Sequence, residues 1–232
     1  MIRLQNLCKT FVVRGKRRVV ADDICATFPS GASVALLGRN GAGKSTLMSM
    51  IAGTQDPDSG TIWSDGTISW PVGFKGSFHR DLTGAQNVRF VARVYGVDTQ
   101  ELSDFVEDFA ELGPHYHMPF RSYSSGMRSR LSFGVSMGIR FDTYLVDEVT
   151  SVGDAVFKTK STRVFQDRMR ESGAIVVSHS MSKIRRLCTM GAVLEDGRLT
   201  MYDDIEEAIA HHMRTLEHAL GERAEDDPDD DD

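Results

Sequence analysis

The clearest chemical signature in the chain is the segment Gly38–Ser45, which reads Gly-Arg-Asn-Gly-Ala-Gly-Lys-Ser and fits the pattern G-x-x-x-x-G-K-[ST]. Glycines in such a loop let backbone N–H groups turn inward around phosphate oxygens, and the helix that follows directs its positive N-terminus at them. We expect Lys44 to reach the β- and γ-phosphates, Ser45 to bind Mg²⁺ through its hydroxyl group, and Thr46 to add a phosphate contact. The expected nucleotide-binding positions here are Gly38, Asn40, Gly41, Gly43, Lys44, Ser45 and Thr46.

An acidic pair, Asp147 and Glu148, follows the apolar run Tyr144–Val146. A buried strand that ends in aspartate can deliver a carboxylate to Mg²⁺, usually through water, so Asp147 is the second expected metal-binding residue. Side chains alternate along extended chain, which places Glu148 to polarise the water that attacks the γ-phosphate. An isolated acidic pair at a strand end is more often simply solvated, and the upstream phosphate loop is what favours catalysis.

His179 is the third chemical candidate, because it follows the apolar run Ala174–Val177 and Ser178. Ligands of open α/β sheets bind at the carboxyl ends of strands, and there His179 would hydrogen-bond the γ-phosphate and the attacking water. Lys44, Glu148 and His179 are therefore the expected catalytic residues. Other histidines have no such context and are interpreted as structural or surface residues, among them His115, His117, His211 and His212.

The N-terminal segment that must position the phosphate loop reads as β-rich. Strands are expected at Ile2–Leu7 and Val19–Phe28, joined by a basic turn at Arg14–Arg18. Ser33–Leu37 is typical of a buried central strand, and Ser45–Ala52 continues from the loop as a helix. We expect Thr61–Trp70 to form another strand or a hairpin.

Residues 76–140 change in character, because their apolar residues recur at helical spacing. The pattern predicts a helical lobe inserted into a β-rich frame, with helices at Gln86–Tyr95, Gln100–Leu112 and Gly126–Ile139. Strand signals return afterwards. The remaining predicted elements are strands at Thr143–Val146 and Ala174–Val177, a hairpin at Val193–Leu199 that turns at Asp196-Gly197, and a final helix at Ile205–Leu220.

Composition limits the possible functions. The 232 residues are 41% apolar and 26% charged, as in an ordinary globular protein, and the net charge of −6 argues against nucleic-acid binding. Three scattered cysteines lack metal-type spacing and indicate a reducing compartment. A signal peptide is not expected, and no window approaches the ~20 apolar residues that span a bilayer, which favours a peripheral subunit if the protein serves a membrane.

The segment Tyr123-Ser124-Ser125-Gly126-Met127 resembles the signature motif of ABC (ATP-binding cassette) transporter subunits, usually Leu-Ser-Gly-Gly-Gln. It lies in the family order, after the phosphate loop and before the Asp147–Glu148 strand. Ser151–Asp154 is similar to the D-loop of this family, and Ser178-His179 to its switch histidine. The resemblance covers about residues 1–205.

The resemblance implies the fold, the ligands and the assembly. The fold would be α/β, with a P-loop NTPase (RecA-like) core, an N-terminal antiparallel β-subdomain and an inserted α-helical subdomain. One nucleotide-binding domain would span residues 1–222, with its core at 1–75 and 141–222 and its helical subdomain at about 76–140. Residues 223–232 would form a disordered acidic tail.

ATP and Mg²⁺ would lie between two copies arranged head to tail. Phe11 occupies the place of the aromatic residue that stacks on adenine, Ser124 and Gly126 would contact the γ-phosphate held by the other copy, and Asp154 belongs to the D-loop. The partners would be a second copy of the chain and an integral membrane permease. Opening and closing of the pair would then follow ATP binding and hydrolysis.

Two departures from the family pattern are visible. Tyr123, Ser125 and Met127 replace the usual leucine, glycine and glutamine of the signature motif. The segment 71–79, where the family has its Q-loop, contains no glutamine, and Gln86 comes too late in the chain. The residue that couples Mg²⁺ to the membrane partner is therefore not assigned.

Within the family, the chain most resembles the ATP-binding subunits that export capsular polysaccharide from Gram-negative bacteria. The resemblance rests on Ile68–Gly73, Phe90–Tyr95, Tyr123–Arg130 and Val149, which replaces a common proline. It implies a peripheral position at the cytoplasmic face of the inner membrane, with periplasmic and outer-membrane export factors as further partners.

Other functions remain as alternatives. The subunit could serve an exporter of O-antigen, teichoic acid or another lipid-linked substrate, or it could be a soluble ABC ATPase outside transport. A GTPase would carry an Asn/Thr-Lys-x-Asp motif, which Lys158–Ser161 does not fit. A non-hydrolytic assembly module is disfavoured by the presence of Glu148 and His179.

Overall fold

The structure is a computed structural model that describes residues 1–13, 15–72, 78–147 and 155–225. The chain divides into two compact units. The first unit combines Met1–Gly66 with the chain from Gly173 onward, and the second is Thr67–Ser172. Within the described ranges, none of the helices has both the length and the apolar composition needed to cross a membrane.

The first unit begins with a three-stranded antiparallel sheet. Its strands are β1 (Ile2–Val13), β2 (Lys16–Phe28) and β4 (Ser59–Ser64), in the order β2-β1-β4. Alternating side chains of β1, such as Ile2 and Leu4, are buried, whereas the residues between them are exposed, as expected for a sheet with one solvated face.

The second sheet of this unit positions the phosphate loop. It contains β3 (Ser33–Leu37), β7 (Gly173–Val177), β8 (Met190–Glu195) and β9 (Arg198–Tyr202) in the order β7-β3-β8-β9. Strand β3 is parallel to both β7 and β8, and β9 returns antiparallel to β8. Every residue of β3 except Ser33 is buried, as is typical of a central parallel strand. The unit's helices are α1 (Lys44–Ile51), α6 (Met181–Leu187) and α7 (Ile205–Glu225).

The second unit is mainly helical. Its helices are α2 (Gly84–Tyr95), α3 (Thr99–Ala110), α4 (Ser125–Gly138) and α5 (Ala155–Glu171), with 3₁₀ turns at Gly113–His117 and Phe120–Ser122. Two parallel strands, β5 (Ile68–Pro71) and β6 (Thr143–Asp147), complete it. The helix starts are well capped: the Thr83 hydroxyl accepts from the Gln86 N–H while the Gln86 amide oxygen accepts from the Thr83 N–H, and Asp98 caps α3.

An aromatic cluster ties the strands of the second unit to its helices. The Trp70 ring lies 4.8 Å from that of Tyr95 and 5.4 Å from that of Phe141, and its Nε1 donates to the Ser136 hydroxyl at 3.0 Å. Because the indole N–H is satisfied, Trp70 can be buried without an unpaired donor. Strands β5 and β6 therefore pack with the helices of the second unit, Thr67–Ser172.

The sequence located most elements correctly, and four expectations need correction. The segment Thr61–Trp70, expected to be one strand or a hairpin, contains parts of two strands that do not pair with each other, because β4 pairs with β1 whereas β5 pairs with β6. Helices α5 and α6 were not predicted. The basic turn is shorter than expected, since β1 continues to Val13 and β2 already begins at Lys16. Helix α7 continues to Glu225, so residues 223–225 are helical, and residues 226–232 of the expected disordered tail lie outside the described residues.

Candidate active site

The phosphate loop joins the end of β3 to the start of α1, as the sequence indicates. Lys44, Ser45 and Thr46 form the first turn of α1, which runs from Lys44 to Ile51. The N–H groups of a first helical turn have no acceptor within the helix, and the helix dipole adds partial positive charge at this end. This end of α1 is therefore suited to bind an anion such as phosphate.

Two loop glycines cannot be replaced without distortion. Gly38 has φ +148° and Gly43 has φ +108°, values that residues with a side chain rarely adopt. A Cβ at Gly38 would lie 2.4 Å from the carbonyl oxygen of Leu194, and one at Gly43 would lie 2.3 Å from Cγ1 of Val20. The close approach of β8 and β2 thus fixes the curvature of the loop.

The Lys44 side chain folds back into the curve of the loop. Its Nζ donates hydrogen bonds to the carbonyl oxygens of Gly38 at 2.6 Å and Arg39 at 3.0 Å. The ammonium group is therefore held beside the backbone that would surround the phosphates. An anionic oxygen entering the loop would compete with these two neutral carbonyls and make a stronger, charge-assisted hydrogen bond.

Arg18 supports the loop from outside, a contact that sequence reasoning missed. It belongs to the basic segment that was expected to be only a turn, but it lies in β2, and its guanidinium donates to the carbonyl oxygen of Gly41. Phe11 is paired with Arg18 across the β1–β2 ladder. Phe11 is half-buried, with the Lys9 ammonium 5.5 Å from the centre of its ring. The hairpin that carries the expected adenine-stacking residue is thus attached to the phosphate loop.

A cavity of about 390 Å³ opens beside the loop. It is lined by Lys44 and residues 38–40 of the loop, by His179 and Ser178 after β7, and by His212 and Leu216 of α7. The structure therefore brings Lys44 and His179 to one cavity, as the sequence predicts. His212 was not expected there; the residue is 6% exposed and lines the same cavity.

The second unit carries Asp147 at the end of β6, where the sequence predicted it. Tyr144, Leu145 and Val146 are fully buried, and Asp147 is half-buried. The hydroxyl of Ser69 accepts from the Leu145 N–H at 2.9 Å, which fixes β5 against β6. Glu148 and Asp154, the expected catalytic base and D-loop residue, lie outside the described residues.

The signature segment begins α4. Ser124 is the N-cap residue, and its hydroxyl oxygen accepts from the Met127 N–H at 3.2 Å. Because that bond uses only an acceptor site, the hydroxyl can still donate its proton to a phosphate oxygen. A Cβ added at Gly126 would meet no atom closer than 3.9 Å, so the surface around Gly126 is open for an approaching ligand.

Tyr123, which replaces the usual leucine, anchors this segment. It is 3% exposed, its hydroxyl donates to the carbonyl oxygen of His115 at 2.7 Å, and its ring lies 5.3 Å from that of Phe120. Burial raises the pKa of Tyr123 to about 12, so the phenol stays neutral. A Cβ at Gly84 would lie 2.2 Å from this hydroxyl oxygen, so the start of α2 packs directly on Tyr123.

One buried amide holds the end of segment 71–79, where the family has its Q-loop. Residues 73–77 lie outside the described residues, and the chain is described again from Phe78. Asn87 is 1% exposed; its Oδ1 accepts from the His79 N–H at 2.8 Å, and its Nδ2 donates to the carbonyl oxygens of His79 and Thr83. The segment lacks the family's glutamine, and Asn87 is not recognisable from the sequence because its partners are backbone groups that only the folded loop supplies.

Comparisons with known proteins agree with these features. A model of the ABC transporter family matches residues 21–151. The chain is 48% identical over 212 residues to the polysialic acid transport ATP-binding protein KpsT of Escherichia coli, covering 90% of this chain and 95% of that protein. It is 39% identical over 212 residues to the capsule polysaccharide export ATP-binding protein CtrD of Neisseria meningitidis serogroup B, covering 91% and 98%.

A solved structure gives the same fold. The dimeric structure of an ATP-binding cassette in a post-hydrolysis state, bound to ADP and Pi, superposes with a TM-score of 0.72 at 18% identity, covering 88% of this chain and 99% of that chain. At this identity the likeness establishes the fold, which is the α/β cassette fold that the sequence predicted.

Proposed function

The chain belongs to the ABC transporter family, and on this basis we propose that it is the subunit that binds and hydrolyses ATP to drive export of a capsular polysaccharide. The observation that carries the ATPase part is the position of Lys44, whose ammonium lies in the curve of the phosphate loop and faces a cavity shared with His179. The export part rests on the functions named for its relatives.

In the proposed mechanism the triphosphate enters the loop at the start of α1. The β- and γ-phosphate oxygens replace the carbonyls of Gly38 and Arg39 as acceptors for Lys44, because they carry full charge. His179 hydrogen-bonds the γ-phosphate and orients the attacking water, and Glu148 accepts the proton of that water. Transfer to water then breaks the bond between the β- and γ-phosphates and leaves ADP and inorganic phosphate.

Mg²⁺ is proposed as the metal that accompanies ATP. The hydroxyl of Ser45 and the carboxylate of Asp147 would hold it, and both are the hard oxygen ligands that Mg²⁺ prefers. Bound there, the ion would neutralise charge on the phosphate oxygens.

We further propose a head-to-tail homodimer. Ser124 and Gly126 of one copy would contact the γ-phosphate bound by the other, with Phe11 stacked on adenine and Asp154 near the shared interface. The open surface at Gly126 and the spare donor of the Ser124 hydroxyl support this role. Nucleotide would thus hold the two copies together until hydrolysis.

The proposed setting is the cytoplasmic face of the inner membrane. An integral permease would form the channel, and periplasmic and outer-membrane export factors would carry the polymer onward. The relatives named above are ATP-binding proteins of capsule polysaccharide export and polysialic acid transport, which supports this assignment. The polymer need not touch the present chain.

The ATPase proposal is tested by Lys44→Ala. Removing the ammonium should weaken ATP binding and abolish turnover, because it takes away the positive charge that the loop holds beside the carbonyls of Gly38 and Arg39. The matched control is Lys158→Ala, which removes an exposed lysine of α5. ATP affinity and phosphate release should be measured for both, and wild-type turnover in Lys44→Ala would contradict the proposed role of the loop.

The export proposal is tested in cells. We expect the chain to co-purify with a polytopic membrane protein, and we expect a strain that carries only Lys44→Ala to accumulate capsular polymer inside the cell. Accumulation of O-antigen or another lipid-linked polymer instead would keep the ATPase role and overturn the assigned cargo.

A further inference from the structure

Helix α7 contributes a polar group to the nucleotide cavity that no nucleotide-binding motif explains. Within the cavity of about 390 Å³, the loop supplies Lys44, the segment after β7 supplies His179, and α7 supplies His212. Sequence motifs account for the first two residues only. His212 lies far along the chain, in a helix whose residues Ile205 and Ala208 pack against Gly191 of β8.

His212 is buried without a full set of hydrogen bonds. Its side chain is 6% exposed, and among the described residues its Nδ1 has no hydrogen-bond partner. An unpaired buried polar atom lowers stability, and a leucine or methionine of similar volume would avoid that loss. Packing alone therefore does not explain a histidine at this position.

The neighbouring residue of the same helix, His211, has partners at both ring nitrogens and serves only to anchor the helix. Nδ1 of His211 is 2.8 Å from the Tyr202 hydroxyl, and its Nε2 is 3.4 Å from the Glu195 carboxylate. His211 thus fixes α7 to the β8–β9 hairpin, with both ring nitrogens engaged, and it does not line the cavity. It provides a matched control for His212.

The surroundings of His212 keep its ring neutral. Burial lowers its pKa, and the Lys44 ammonium and His211 lower it further, whereas Glu195 opposes them. A neutral imidazole has one N–H donor and one nitrogen acceptor, and an acceptor is what a lysine ammonium needs. Lys44, whose ammonium lowers the pKa of His212, donates to the carbonyls of Gly38 and Arg39. In the proposed mechanism it exchanges these carbonyls for phosphate oxygens when a triphosphate binds.

We propose that His212 is a positioning residue for Lys44, accepting a hydrogen bond from the lysine ammonium in the ATP-loaded site. An ammonium has three donors, so Lys44 can hold the β- and γ-phosphate oxygens and His212 together. The Nδ1 of His212, which has no partner among the described residues, would then gain a donor when nucleotide binds, and this would tie α7 to the nucleotide state. This inference rests on the proposed ATPase function.

Three variants test the proposal by separating affinity from stability. His212→Leu removes the acceptor and the unpaired atom together, so it should melt at or above the wild-type temperature while binding ATP about tenfold more weakly. His212→Asn places an amide oxygen near the Nδ1 position and should recover most of the affinity. His211→Leu should lower the melting temperature through the lost anchor and leave ATP affinity within about twofold.

Binding is measured with Mg²⁺-ATP under non-hydrolysing conditions, beside Lys44→Ala as a reference. If His212→Leu binds ATP as the wild type does, His212 is a packing residue and the proposal fails. If Lys44→Ala also binds normally, the proposed function fails instead, so the two failures are distinguishable.

A measurement on the wild-type chain does not depend on the folding of any variant. In protein labelled with ¹⁵N-histidine, the His212 ring nitrogen resonance should move when a non-hydrolysable ATP analogue and Mg²⁺ are added, because the nitrogen gains a donor. His211 should not move. An unchanged His212 resonance at saturating nucleotide would overturn the proposal.

Discussion

At the scale of single residues, the sequence identified the functional groups whose positions are set by local spacing along the chain. Lys44 and the loop glycines were identified because a phosphate loop needs particular residue types at fixed spacing, and that spacing is local. Arg18 and His212 were missed because their importance comes from approach in space, to Gly41 in one case and to the nucleotide cavity in the other. No periodicity in β2 or α7 marks them.

Two glycines with opposite surroundings provide a residue-scale prediction. Gly43→Ala should lower the free energy of unfolding by about 1–2 kcal/mol or more, because φ +108° is strained for alanine and Val20 blocks its Cβ. Gly126→Ala lies in open space within the first turn of α4, where alanine favours the helix by about 0.5–1 kcal/mol over glycine.

Gly126→Ala should therefore keep or gain stability and still lose ATPase turnover by about tenfold, equivalent to ~1.4 kcal/mol, because its methyl group would stand where a phosphate approaches. Urea unfolding and phosphate-release assays on both variants check this contrast. Full turnover in Gly126→Ala would argue against close contact between this glycine and the nucleotide.

At the scale of elements, prediction succeeded where periodicity was strong and unbroken. Helices α2, α3 and α4 show apolar residues at helical spacing and were found within a few residues of their ends. The segment Thr61–Trp70 was expected to be another strand or a hairpin, whereas it contains parts of β4 and β5, which do not pair with each other. Their true partners, β1 and β6, are distant in sequence, and pairing of that kind is not encoded in any local pattern.

The anchoring of α4 through Tyr123 gives an element-scale prediction. Tyr123→Phe should lower the free energy of unfolding by about 1 kcal/mol, because the His115 carbonyl loses its donor. Below pH 10 this difference should be constant. Since the folded pKa of about 12 lies above the ordinary value of 10.0, stability supplied by the neutral phenol is complete below pH 10 and is lost as pH rises toward 12.

The variant lacks this ionisation, so its stability should fall less steeply than that of the wild type between pH 10 and 12. Urea titrations followed by circular dichroism at several pH values would measure both slopes. Leu131→Ala, which removes a fully buried aliphatic side chain of the same helix, is a suitable control, because it should lower stability without changing the slope. Equal slopes for wild type and Tyr123→Phe would show that the Tyr123 hydroxyl ionises normally.

At the scale of the whole molecule, the sequence predicted the cassette fold through the order of its motifs rather than through any single one. The phosphate loop, the signature-like segment, the acidic strand end and His179 follow one another in the order of the family that the sequence resembles. The division into two units was less accessible, because the placement of β5 and β6 with the helices depends on packing around Trp70 and on strand pairing. Such contacts join residues that are distant in sequence and form only in the folded chain.

The proposed dimer yields the last prediction. Glu148→Gln removes the proposed base for the attacking water and changes no residue of the phosphate loop. We expect ATP binding to persist, turnover to fall by ~10²–10⁴ and the dimer to accumulate, because nucleotide that is not hydrolysed continues to join the two copies. Size-exclusion chromatography with light scattering, with and without Mg²⁺-ATP, measures this.

The double variant Lys44→Ala/Glu148→Gln separates nucleotide-held association from nonspecific association. It should remain monomeric with ATP, because its loop cannot retain the triphosphate that bridges the copies. Ser124→Ala in the Glu148→Gln background should also reduce the dimer fraction while ATP still binds each monomer, since the hydroxyl that would reach the other copy's γ-phosphate is gone. If Glu148→Gln bound ATP and stayed monomeric up to high protein concentration, each copy would hold its nucleotide alone, and Ser124 and Gly126 would need another role.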